Sequence, residues 1–131
     1  MTESKVRIDD SFVKGWFSPK SKKSQMFDDR AKKAILGVLE VFKNDGTEAN
    51  QKLPRGRIKC LLNGIWEIRV GQYRIAYFWD KKVCVLLEVI EKKTNKWGHE
   101  KIELIKTRQK NYLKNKRLNI IISNTKTSFY K

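Results

Sequence analysis

Apolar positions recur along residues 24–44 at three- and four-residue steps, with Phe27, Ala31, Ala34, Ile35, Val38, Leu39 and Phe42 sharing one face. That spacing predicts an amphipathic helix over 24–44. Asp28 and Asp29 suit its positive N-terminal end, and Asn44-Asp45-Gly46 closes it. Beyond a polar loop around Pro54-Arg55-Gly56 the pattern changes to four runs rich in β-branched and aromatic residues, 58–62, 65–70, 73–79 and 83–90. Their connections, Asn63-Gly64, Gly71-Gln72 and Asp80-Lys81-Lys82, are hairpin-sized, so the runs read as an antiparallel meander. Helical spacing returns over 99–117 through Ile102, Ile105, Tyr112 and Leu113, and 118–123 reads as a further strand or an extended tail. Residues 1–23, ending in Pro19-Lys20-Ser21-Lys22-Lys23, keep no sustained period and read as an arm.

Strand alternation sorts the meander into two faces. Trp66, Ile68 and Val70 point one way, and Tyr73, Ile75, Tyr77 and Trp79 continue that apolar face. Glu67, Arg69 and Arg74 fall on the other. If Gly71-Gln72 is a two-residue loop, Val70 pairs with Tyr73 and Arg69 directly faces Arg74, a like-charge pair that destabilises the sheet unless an anion joins it. A bound phosphate is one such anion. The alternative is that an arginine bonds Glu67 or extends into solvent.

The 131 residues suffice for one domain, and 40% hydrophobic content with 14 aromatic residues supports a folded core. No apolar run approaches the ~18 residues that a membrane helix needs, and the start MTESKVRIDD lacks an apolar signal core, so the expected location is cytoplasmic, with no membrane partner. Cys60 and Cys84 lie within apolar segments and are expected as small core residues of a reducing compartment. One histidine in the whole chain excludes a His-rich zinc site and a two-histidine ribonuclease mechanism, and no metal site is expected.

Charge changes the picture more than size does. The net charge is +16, and residues 92–117 carry ten Lys and Arg against Glu100 and Glu103, so half of the excess lies in one fifth of the chain. Such clustering resembles an electrostatic footprint for phosphates, the plain alternative being a solvated helix face. Within it, Lys92-Lys93-Thr94-Asn95-Lys96-Trp97-Gly98-His99 joins cations to an indole able to stack on a base. RNA cleavage by the ribose 2′-OH needs a proton acceptor, charge stabilisation on the phosphorane and a donor to the leaving 5′ oxygen. Arginine forks supply the second role, and lysines depressed by neighbouring cations can supply the proton roles. His99 is a proton-transfer candidate by residue type, or a solvated residue at a helix start.

The order helix, Gly64-Ile65-Trp66-Glu67-Ile68-Arg69-Val70, Tyr73-Arg74-Ile75-Ala76-Tyr77-Phe78, apolar strand, Lys92-Lys93-Thr94-Asn95-Lys96, basic helix resembles the RelE/ParE superfamily of type II toxin–antitoxin toxins, specifically the phage-derived HigB-type branch. The resemblance covers roughly residues 25–113, leaving 1–24 and 114–131 as extensions of a single toxin domain. It implies an α+β microbial RNase/RelE-like fold, an antiparallel sheet of about four to five strands with helices packed on one face and a concave basic groove on the other. It further implies an mRNA interferase acting on the ribosome, without a cofactor, neutralised by a HigA-like helix-turn-helix antitoxin. By position, Arg69 and Arg74 match the family's strand arginines, and Lys92, Lys93 and Lys96 match its lysine loop. The chain departs from the pattern in Trp97-Gly98, which replaces Thr-Pro, in Lys101 at a commonly acidic position, and in the short Gly71-Gln72 turn.

On this reading Arg69, Arg74, Lys93 and Lys96 are the catalytic group, and Lys92, Trp97, His99, Arg108 and Tyr112 contact RNA. Two other classes share the features. One is a ParE-like inhibitor of DNA gyrase without chemistry, since one fold hosts both activities. The other is a catalytically silent nucleic-acid-binding protein using the basic segment for phosphate contacts alone. A lysine loop beside paired arginines is what a ribonuclease needs and a gyrase binder does not.

Overall fold

Two-residue loops fix the centre of the molecule. In the computed structural model, which describes residues 6–18, 22, 29–48, 56–91 and 97–129 (17, 47 and 117–129 by backbone alone), β2 (Ile58–Leu62), β3 (Ile65–Val70), β4 (Tyr73–Asp80) and β5 (Val83–Glu91) form the expected meander. Gly71 takes a positive φ of 58° at the first position of the β3–β4 loop, a backbone that glycine adopts without steric cost. The register then follows: Val70 pairs with Tyr73 and Arg69 with Arg74.

The amino-terminal segment is no arm. Arg7–Asp9 forms β1, which pairs in parallel with β5 and completes a mixed five-stranded sheet ordered β1-β5-β4-β3-β2. Ser11 then donates from both N and Oγ to the Asp9 carboxylate, at 3.0 and 2.6 Å, and turns the chain into the single helical turn α1 (Lys14–Phe17). Val13 and Trp16 are thereby buried in the core. A strand of three residues offers no period, and its pairing partner lies more than seventy residues away, so the sequence pattern conceals it.

Helix α2 runs Asp29–Asp45, with residues 24–28 of the expected helix outside those described. Its Ile35, Val38 and Phe42 face the sheet, where Ile68, Val70, Tyr73, Ile75, Tyr77, Cys84, Leu86 and Val89 receive them. Phe42 packs at 5.0 Å from the Tyr77 ring and 5.9 Å from Trp79, centroid to centroid. Gly46, with φ 59°, ends the helix as expected. Helices thus lie on one side of an α+β sheet, and the core is that layer.

Two irregularities interrupt the alternation. At the β4–β5 ladder Tyr77 opposes Leu86 while Ala76 opposes Glu88, so Leu87 is an extra residue. Cys84 and Leu86 therefore face α2 together with Val89, and Glu88 is turned to the opposite face beside Ala76. A second shift between Cys60 and Leu62 marks β2. Of the two cysteines expected in the core, only Cys84 is buried; Cys60 is exposed, its Sγ donating to the Leu62 carbonyl at 3.2 Å.

The chain divides into two compact units, residues 1–95 and 96–131. The second is dominated by α3, His99–Phe129, opened by Ile102 N donating to Gly98 O. Helix continues through 118–123, where a strand or tail was expected. Ile105 is fully buried, Ile102, Arg108 and Tyr112 are half-buried, and Lys106, Lys110 and Lys114 are exposed. Among the described residues no helix is long and apolar enough to cross a membrane.

Candidate functional site

Arg69 and Arg74 are brought together as the strand pattern predicts. The pair adjoining a two-residue loop is the hydrogen-bonded one, which makes Arg69 and Arg74 the next, non-hydrogen-bonded pair, the geometry with the closest side chains. Like charges there repel most, and the fold supplies its own anion. Glu67, two residues before Arg69 on the same face, accepts from Arg69 Nε at 2.9 Å and lies 3.9 Å from Arg74 Nε. Glu67 therefore takes the place that the sequence left open for either a phosphate or a carboxylate.

The two arginines are not equivalent. Arg74 is buried and donates through Nη1 to the carbonyls of Gly71 and Tyr73, both at 2.9 Å, so its guanidinium ties down the β3–β4 turn. Burial and the Arg69 charge lower its pKa from the ordinary arginine value, partly offset by Glu67, and a guanidinium so held remains cationic at any working pH. The Arg69 side chain keeps 33% of its exposure and, among the described residues, bonds through Nε alone. Its outer Nη edge has the fork geometry that pairs with two phosphate oxygens.

Among the described residues much of the opposite face is buried. Ile65, Glu67, Arg74, Ala76, Phe78, Val85 and Glu88 are all buried on it or along it. Glu67, Ala76 and Glu88 stand in one cross-strand row, bringing two carboxylates to the face that the arginines share. Glu88 is locally satisfied, its Oε1 accepting from Val89 N at 3.1 Å. Among the described residues the accessible cations of the face consequently lie on its β2–β3 side.

Arg57 belongs to that side and has no counterpart in the sequence pattern, because the strand reading begins at Ile58. Arg69 N donates to Arg57 O at 2.7 Å, extending the β2–β3 register by one pair from Ile58 opposite Ile68. Ile58 packs toward the core, so Arg57 and Lys59 fall on the arginine face by alternation. The outcome is a row of three arginines, Arg57, Arg69 and Arg74, across three adjacent strands, with Lys59 opposite Glu67 in the next row.

Of the remaining candidates, Lys92, Lys93 and Lys96 lie outside the described residues. Trp97 is only 8% exposed, and its buried indole packs instead of offering a face to a base. His99 is exposed at the first residue of α3, the solvated position that the sequence allowed. Arg108 and Tyr112 share a half-buried stripe of α3 with Ile105, at steps of three and four residues. Neither extends from the solvent face that Lys106, Lys110 and Lys114 occupy.

Compared with known proteins, residues 23–110, about two thirds of the chain, match the model of the family described as Phage derived protein Gp49-like (DUF891). No curated protein matches the chain.

Proposed function

Because the chain belongs to the phage-derived Gp49-like family, a RelE/toxin-like family, we propose that it is the toxin of a type II module of the HigB branch and that it cleaves mRNA, on the ribosome, without a metal ion. The observation that carries this reading is Arg69: its Nε is anchored by Glu67 at 2.9 Å while its side chain stays 33% exposed. A guanidinium fixed in advance stabilises charge as it forms on phosphorus and needs no reorganisation in the transition state.

In the proposed reaction the ribose 2′-OH loses its proton as its oxygen bonds to the adjacent phosphorus. The P–O5′ bond then breaks, leaving a 2′,3′-cyclic phosphate and a protonated 5′-OH. Arg69 holds the non-bridging oxygens. Arg74 acts as a positioning residue, since its bonds to Gly71 O and Tyr73 O hold the hairpin that carries Arg69. Lys93 and Lys96, following the sequence, share electrostatic and proton-transfer duties. The toxin's partner is a HigA-like helix-turn-helix antitoxin, whose contacts would silence the charge on this face.

Inducing the protein in cells and mapping mRNA 5′ ends tests the reading. Codon-phased cuts, lost in Arg69→Ala and in Lys93→Ala, are the expected result. Intact mRNA accompanied by DNA breaks would instead identify a gyrase inhibitor, and intact mRNA with undamaged DNA a silent binder.

A further inference from the structure

We infer that Arg57, together with Arg69, forms the phosphodiester-binding pair of this face, and that Arg74 is not the second phosphate ligand. This rests on the ribonuclease reading for the identity of the phosphate but not for the existence of the anion site.

Charge is unevenly balanced along this register. Arg69 has an arginine on each side, Arg74 on β4 and Arg57 immediately before β2. On the β4 side the repulsion is relieved within the protein, because Glu67 reaches both guanidinium groups and Arg74 spends Nη1 on two backbone carbonyls. On the β2 side nothing comparable occurs among the described residues. The residue opposite Glu67 is Lys59, another cation, and that carboxylate already bonds Arg69 and lies 3.9 Å from Arg74. Arg57 is half-buried, and among the described residues its side chain has neither an ion pair nor a hydrogen bond.

Directly opposed residues on adjacent strands have Cβ atoms about 5 Å apart. Two guanidinium groups at that separation can each take one non-bridging oxygen of a single phosphodiester, with the anion resting between them. Arg69 contributes the Nη edge that Glu67 leaves open, and Arg57 contributes a whole fork. Lys59, exposed and two residues along the same face, is placed to meet the next phosphate of a strand.

A short 2′-O-methyl oligoribonucleotide, which keeps the phosphodiesters but cannot be cleaved, is the probe. Its affinity is measured against salt concentration for the full-length protein, Arg57→Ala, Arg57→Lys, Arg74→Lys, and Lys33→Ala as a control on exposed α2. Circular dichroism verifies that each variant is folded, and inorganic phosphate is titrated as competitor. Arg57→Ala should weaken binding about tenfold or more, as loss of a charge-assisted contact does. It should also lower the log–log salt slope by about 0.7. Arg57→Lys should keep the slope while losing part of the affinity, and Lys33→Ala should change neither. Phosphate displacing the probe only at concentrations far above that of the oligonucleotide identifies a nucleic-acid site. Equal competition by phosphate would identify a small-anion site and overturn the phosphodiester assignment. Affinity and slope unchanged in Arg57→Ala would overturn the pair, as would failure of the unmodified protein to bind the probe. Arg57-dependent binding by a protein that cleaves no mRNA would leave this site standing and remove the ribonuclease reading.

Discussion

Glu67 sits 2.9 Å from the Nε of Arg69, the carboxylate of one strand residue anchoring the guanidinium two places along the same strand. Side chains at i and i+2 share a face, so the pair is intrinsic to Glu67-Ile68-Arg69, and the hairpin adds Arg74 to it. Removing the carboxylate takes away the anion that the two opposed arginines share. Glu67→Gln should therefore lower stability by about 1–3 kcal/mol, less than for a fully buried pair because Arg69 is one-third exposed. Thermal unfolding would register it. Added phosphate should recover more of the loss in the variant than it adds to the unmodified protein.

The register that creates this pair is legible in the sequence because a two-residue loop leaves only one way to close the hairpin. Where no such constraint exists, the pattern fails. The apolar run Val83-Cys84-Val85-Leu86-Leu87 hides which residue is the bulge, and so hides that Glu88 joins the arginine face. Leu118-Asn119-Ile120-Ile121-Ile122 has the composition of a strand yet continues a helix, a case of local preference yielding to helix propagation. Arg57 escapes notice because only a backbone bond at the end of the ladder ranks it with the strand arginines.

The amino-terminal segment should behave as core. Trp16 and Val13 are buried in the cluster that α2 and the sheet form. Trp16→Ala should cost about 3–5 kcal/mol, comparable to Phe42→Ala at the centre of the same layer. A urea titration giving less than about 1 kcal/mol for Trp16→Ala would return the segment to the status of an arm.

Alkaline pH should destabilise the fold. Burial raises the pKa of Cys84 above its ordinary 9.0, and burial with the nearby Cys84 raises that of Tyr77 above its ordinary 10.0. Both groups stay neutral in the folded chain and ionise in the unfolded one. Their contribution is full below about pH 9 and is lost progressively above it. The urea midpoint should fall between about pH 9 and 11, and Cys84→Ala should flatten the early part of that fall. A thiol reagent at pH 8 should meanwhile label exposed Cys60 quickly and buried Cys84 only on unfolding.

Lys81 takes a φ of 54° in the β4–β5 turn, a backbone that favours glycine. Lys81→Gly should relieve the steric cost, less the entropy that glycine loses on folding, for a net gain of about 0.5 kcal/mol. The melting temperature should rise by roughly 2 °C. The exchange lies at the far end of the β4 hairpin from Arg69, and RNA binding should not change.

The central claim, that anchored Arg69 stabilises phosphoryl chemistry on translated RNA, is tested most directly by toeprinting a defined mRNA on programmed ribosomes with purified protein. The unmodified protein should produce a new 5′-OH end at the occupied A-site codon, with a 2′,3′-cyclic phosphate on the upstream fragment. Arg69→Ala, folded and equally able to join the ribosome, should produce neither. Full-length mRNA in both reactions, or equal cutting by both, would contradict the account.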